Sequence, residues 1–257
     1  MFEWFRRIGK RAKSLVLPER EERRTRNTEA IDLAPYTPDA KVFLGQLAYL
    51  ELSQFEILTN ELKFSPTTAD KASLSEAAAK SFQKYRAIAK SLQLTGVDAT
   101  DAMDPFTERI ETFHSRTNGT DWYETVVKVY LVSGLLEDFY KRLAIGLDDQ
   151  LREEVERALK DTTFERFAKD CLIDAMKDNR QLASRLALWG RRLMGDVLLE
   201  LRAAFDNRKL AGIPKTKKLS LEDERQVNLA AYSKLEPLIS ELIGAHSQRM
   251  DAIGLAA

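Results

Sequence analysis

Glu51 is the residue whose position most constrains the chemistry of this chain. It interrupts the series Leu44, Leu47, Glu51, Phe55, Leu58 and Leu62, whose spacings of 3, 4, 4, 3 and 4 residues put all of them on one helical face. A lone ionised carboxylate on such a face costs several kcal/mol unless it is paired, hydrogen-bonded or bound to metal. Helix bundles that hold two metal ions use glutamates in this way, one from each of two helices, with Glu-x-x-His from each of the other two.

The rest of that donor set is sparse. The chain has two histidines. His114 completes Glu111-x-x-His114, half of the pattern, but in a connection between helices. Capping or packing a loop is the expectation for His114, with metal binding by Glu111 and His114 as the alternative. His246 lies in IGAHSQR with no glutamate three residues before it. Two carboxylate-bridged ions need about six protein ligands, so one half-site could not hold them. Cys171 sits on an apolar helical face with no histidine near it in sequence and reads as a buried structural thiol. Ser133-Gly134 reads as a place where helices approach closely rather than as a nucleophile.

Helices must position these residues. The first runs from about Val42 to Leu62, and Ser65-Pro66 breaks the pattern. A second spans Thr68 to Leu94 with the stripe Leu74, Ala78, Ser81, Tyr85, Ile88 and Leu92, and Thr95-Gly96 stops it. The connection from Val97 to Gly119 holds one short helix, FTERIETFH, and the turn signal Asn118-Gly119. Asp121 caps a third helix reaching about Leu147, with Trp122, Val126, Val129, Ser133, Leu136, Tyr140 and Leu143 on one face. A fourth helical region, Asp148 to Met176, is interrupted near Thr162-Thr163, where two β-branched residues meet. The fifth, from about Arg180 to Arg208, is apolar along Leu182, Leu186, Trp189, Leu193, Val197, Leu201 and Phe205. KLAGIPKTKK follows as an exposed basic loop, and a last helix from Ser220 to Ala252 is expected to bend at Pro237. Neither the alternation of a strand nor a glycine-rich phosphate loop occurs. The fold class is all-α, with four core helices and further ones packed outside them.

Forty basic and forty acidic residues cancel, so no global field draws the chain to nucleic acid or membrane. Locally the balance differs. Residues 1–27 hold nine basic against four acidic residues, a charge of +5 that leaves about −5 on the remainder. Phe2, Phe5, Ile8, Ala12 and Leu15 recur at helical spacing opposite Arg6, Arg7, Lys10, Arg11 and Lys13, with Trp4 on the opening turn. This basic amphipathic segment suits an anionic membrane surface, RNA or a protein partner; a tail that folds back on its own domain is the alternative. Residues 1–30 therefore read as an amphipathic segment and linker, and residues 31–257 as the helical domain. No apolar run approaches the roughly 18 to 20 residues of a membrane span. One cysteine excludes an internal disulfide framework, and the N-terminus lacks a signal-peptide pattern. The expected location is cytoplasmic, with peripheral membrane contact through the basic segment as an extension.

The motifs GQLAYLELSQFE, AAAKSFQKYRAIAKSL, MDPFTERIETFH with DWYETVVKVYL, EDFYKRLA and SRLALWGRRLMGDVL resemble actinobacterial ferritin-like proteins grouped with the tRNA 2-methylthio-isopentenyladenosine hydroxylases. The likeness covers roughly residues 35 to 255. It implies a ferritin-like four-helix bundle with additional C-terminal helices. In the true hydroxylases it also implies a dinuclear iron site that activates oxygen. Carried onto this chain, the resemblance keeps Glu51 as the first-helix glutamate. It places Ser81-Phe82-Gln83-Lys84 where the second helix should read Glu-x-x-His, and Ser133 at the third-helix acid, with Asp138 taken as the nearest carboxylate. In the fourth helix it retains Asp161 but puts Phe164 where a histidine belongs. A Lys84 ammonium could neutralise Glu51 or Asp161 across the bundle.

The resulting expectation is a ferritin-like bundle with a degenerate metal site and no cofactor, acting as a binding or scaffold protein rather than an enzyme. Two alternatives stay open: a diiron tRNA hydroxylase with two iron ions and an unusual ligand set, and a nucleic-acid-associated protein. A homodimer is compatible with either.

Overall fold

The computed structural model describes residues 32–203, 211–214 and 220–257. The amphipathic segment with Phe2, Trp4, Phe5, Arg6, Arg7, Lys10, Arg11 and Lys13 lies outside them, as does most of the KLAGIPKTKK loop. Every element assigned among the described residues is helical, as expected of an all-α bundle.

Helix α1 spans Ala40–Glu61 and α2 spans Thr68–Leu94. Their starts are set by side-chain caps: Asp39 accepts from the Val42 amide and Thr67 from the Asp70 amide. A single 3-10 turn, Leu62–Phe64, carries the chain into the break before Pro66. The connection that follows holds two helices rather than the one expected, α3 (Ala99–Met103) and α4 (Thr107–Arg116), joined at Asp104–Phe106. Helix α5, Trp122–Leu143, is capped by Asp121 as its sequence predicts. The fourth region divides into α6 (Asp149–Ala158) and α7 (Thr163–Met176). Helix α8 covers Arg180–Ala203, and α9 covers Leu221–Ala252, opened by a Ser220/Asp223 capping box and running through Pro237.

Helices α1, α2, α7 and α5 form the bundle, with α1 packed on α2, α2 on α7, α7 on α5 and α5 on α1. Helix α6 packs on α2, while α8 and α9 cover the back of α5. That cover changes α5 from the one-faced helix of the sequence reading into the centre of the molecule. Every residue from Glu124 to Val132 is buried, polar ones included. Two glycines permit the close contacts. A Cβ at Gly45 of α1 would clash with the Ala102 carbonyl of α3, and one at Gly134 of α5 would clash with the Arg249 side chain of α9. The close approach anticipated at Ser133-Gly134 is therefore made to a side chain of α9.

Candidate functional site

Glu51 projects from α1 into the interior at 5% exposure, and its Oε2 atom has no hydrogen-bond partner. Burial pushes its carboxyl up to about 7, opposed by the charge of Lys84 and reinforced by that of Glu137. The Lys84 ammonium, on α2, is buried too. Its direct contact is with Glu137 of α5, Nζ to Oε1 at 2.6 Å, a partner the sequence reading did not name, while its charge also acts with those of Glu51 and Asp161 without an ion pair to either. Burial alone would lower the Lys84 pKa. The charges of Glu51 and Glu137, the hydrogen bond to Glu137 and the charge of Asp161 outweigh that and raise it, so the ammonium stays protonated.

Next to this ion pair runs a neutral bridge. Gln54, one turn beyond Glu51 on α1, donates from Nε2 to Ser81 Oγ of α2 at 2.9 Å and accepts at Oε1 from the Ser133 hydroxyl of α5. Its amide thus satisfies both serines and ties three bundle helices together. Asp161 lies two residues before the start of α7 and accepts from the Thr163 amide at 3.0 Å and the Thr163 hydroxyl at 3.2 Å, holding the first residue of that helix, while Thr162 at the cap position makes no side-chain bond to it. Asp138 faces Arg249 of α9, Oδ2 to Nη2 at 2.8 Å, while Glu137 takes the inward place on α5. Phe164 is buried beside Phe167, with ring centroids 6.2 Å apart.

The Glu111 and His114 pair takes separate partners. Glu111 accepts from the Tyr49 hydroxyl at 2.6 Å, and burial together with that carboxylate pushes the Tyr49 pKa up. His114 Nε2 lies 3.1 Å from Ser53 Oγ. The same Ser53 hydroxyl lies 3.0 Å from the Leu50 carbonyl, so Ser53 links the His114 ring to the backbone of α1. Burial and the charge of Lys128 lower the His114 pKa to about 3. Lys128 itself is 2% exposed, donates to the His114 carbonyl at 3.1 Å, and is pushed down to about 8 by burial. His246 is buried on α9, which lowers its pKa, and burial raises the Cys171 thiol to about 11, consistent with an unreactive structural role.

Two hollows flank Glu51 and its neighbours. A small, mostly apolar one of about 30 Å³ lies between α1, α5 and His114, with Glu51 and Glu137 in its wall. A polar cleft of about 370 Å³ opens between α2, α5 and the start of α7, lined by Ser81, Lys84, Ser133, Glu137 and Asp161. Ser81, Lys84, Ser133, Asp138, Asp161 and Phe164 all border this cleft, and Glu51 lies in the wall of the smaller hollow, with Glu137 common to both. Among the described residues, no group of three or more His, Cys, Asp or Glu side chains is placed to hold a metal ion. What converges instead is the Lys84 ammonium, the carboxylates of Glu51, Glu137 and Asp161, and the Gln54 amide between two hydroxyls, groups held by charge and by hydrogen bonds to one another.

The sequence reading passed over Gln54, Glu137 and Lys128. The first two carried a usable signal: Gln54 is three residues past Glu51, and Glu137 four past Ser133, so each shares its neighbour's helical face. Lys128, flanked by Val127 and Val129, carried a weaker one. Among protein families, the one described as ferritin-like domain, actinomycetes, matches residues 35–213. No curated protein matches the chain.

Proposed function

The chain belongs to the ferritin-like domain family of actinomycetes, and on that premise we propose that it is a non-catalytic binding or scaffold protein whose own ion pair stands in for a dimetal centre. The observation that carries this reading is the buried Lys84 ammonium, 2.6 Å from Glu137 and under the charges of Glu51 and Asp161. In dimetal bundles the inward carboxylates are neutralised by the ions they bind. Here a fixed cation neutralises them. The donors do not fit two ions: Ser81 and Ser133 are weak neutral oxygens already engaged by Gln54, and Phe164 offers none.

The finer part of the proposal is kinship with tRNA hydroxylases, supported by the motif likeness alone. A second reading, an active diiron hydroxylase with an unusual ligand set, is favoured by Glu51, whose Oε2 atom is buried without a partner. Elemental analysis of protein expressed in iron- and manganese-replete medium separates the two. Substoichiometric metal is the expected result; about two ions per chain would overturn the first reading in favour of the second. Residues 1–27 complete the proposal as a cytoplasmic protein's contact with anionic surfaces. No helix among the described residues is long and apolar enough to cross a membrane.

A further inference from the structure

A second groove, outside the bundle interior, runs between α2 and α6. Lys80, Lys84, Ala87, Ser91 and Leu94, spaced 4, 3, 4 and 3 apart, present one face of α2. Glu154, Arg157, Ala158 and Asp161 form the opposite wall. The hollow exists because both walls carry an alanine at mid-length, and it amounts to about 410 Å³. That falls within the roughly 300 to 1,000 Å³ of sites for small ligands.

The charges around the groove are unevenly committed. Glu154 accepts from the buried Ser91 hydroxyl at 2.5 Å, and Asp161 from the Thr163 amide and hydroxyl. Lys84 is paired with Glu137. Lys80 and Lys90 on α2 and Arg157 on α6 have no ion pair or side-chain hydrogen bond among the described residues. Three uncommitted cations thus stand around one concave site, on both of its walls. Ten residues separate Lys80 from Lys90, about 15 Å along the helix. We propose that the groove between α2 and α6 is a binding site for a small phosphorylated ligand, held through Lys80, Lys90 and Arg157. A phosphate group presents several strong acceptors and is taken equally by an arginine fork and by ammonium groups, the two kinds of cation that border this groove. The groove's lining includes the buried Lys84 and Ser91, and its volume suits a small molecule. The groove shares Lys80, Lys84 and Asp161 with the cleft between α2, α5 and α7, whereas Lys90 and Arg157 border the groove alone, so variants of those two test it without touching the Glu51 interior.

Calorimetric titration of the full chain at low salt with pyrophosphate and with AMP tests the proposal. Saturable binding of either is expected, weakened on the order of tenfold by Arg157→Ala or Lys90→Ala. Ala87→Trp, which fills the hollow from an exposed position, should abolish binding, while thermal unfolding of each variant establishes that it is folded. Should Ala87→Trp unfold the protein, Lys80→Glu combined with Lys90→Glu supplies the same test from the surface. Failure of both ligands to bind the wild type would overturn the proposal. So would binding that survives the groove variants, or a single-stranded RNA that binds more tightly than AMP and is unaffected by them.

Discussion

Lys84 of α2 lies 2.6 Å from Glu137 of α5, and the two charges of this ion pair act in opposite directions on Glu51, whose carboxyl is set first by its burial. Glu51, on the facing helix, feels both charges but forms no ion pair among the described residues. One cation serves two inward carboxylates: Glu137 takes the contact and Glu51 takes the burial.

Removing the ammonium should therefore leave Glu51 without a nearby cation and Glu137 with only Lys141, 3.8 Å from its Oε2. Lys84→Met is expected to destabilise the fold by about 3 kcal/mol, toward the lower end of what breaking a buried pair costs because Glu137 is partly exposed. The Lys84→Met, Glu137→Leu double variant should be milder. Urea unfolding in a double-mutant cycle measures the coupling. Additive losses would show that the pair contributes nothing, and a larger coupling of Lys84 to Glu51 than to Glu137 would contradict the observed contact.

The raised carboxyl of Glu51 sets a sign for pH dependence. From the ordinary value of 4.5 to about 7, the folded protein keeps a proton that the unfolded chain has released. The folded state then binds more protons, so this group's contribution to stability is full below about 4.5 and is lost as pH rises through about 7. Glu51→Gln, neutral throughout, should remove that slope and be more stable than wild type at pH 8 by on the order of 1 to 3 kcal/mol. Denaturant midpoints from pH 5 to 8 test it; parallel profiles for the two proteins would mean that Glu51 titrates normally.

Gly45 and Gly195 offer a matched comparison. Replacing a helix-interior glycine by alanine ordinarily gains up to about 1 kcal/mol. At Gly195 of α8 a Cβ meets nothing within 4 Å, so Gly195→Ala should stabilise. At Gly45 it meets the Ala102 backbone, and Gly45→Ala should cost about 1 to 3 kcal/mol instead. Thermal melts that move both variants in the same direction would contradict the packing of α1 on α3.

For residues 1–27, deletion should abolish binding to vesicles rich in anionic lipid while leaving the helical content and melting temperature of the remainder nearly unchanged. Equal vesicle binding by both proteins would refute a membrane role. Salt-sensitive binding of full-length protein to RNA but not to vesicles would favour a nucleic-acid partner, and a much lower melting temperature would make the segment part of the fold.

What the sequence determined by itself is local. Periodicity places α1, α2 and α5, and Asp121 marks the start of α5, because a helix repeat and a terminal amide are satisfied within a few residues of chain; the caps at Asp39 and Thr67 carried the same kind of signal but were passed over. Burial of Glu51 and Ser81 followed from the same repeat, and the break of the fourth region before Thr163 from the two adjacent β-branched residues there. Only the tertiary structure decided which acid Lys84 meets. Each residue turns a helix by about 100° and advances it 1.5 Å, so small shifts of α5 against α2 choose between Ser133, Glu137 and Asp138. Burial of every side of α5 was equally out of reach, since it depends on α8 and α9 returning over a helix more than forty residues earlier in the chain. The same holds for Gln54, whose amide side chain finds its role only when two serines from different helices are brought to either side of it.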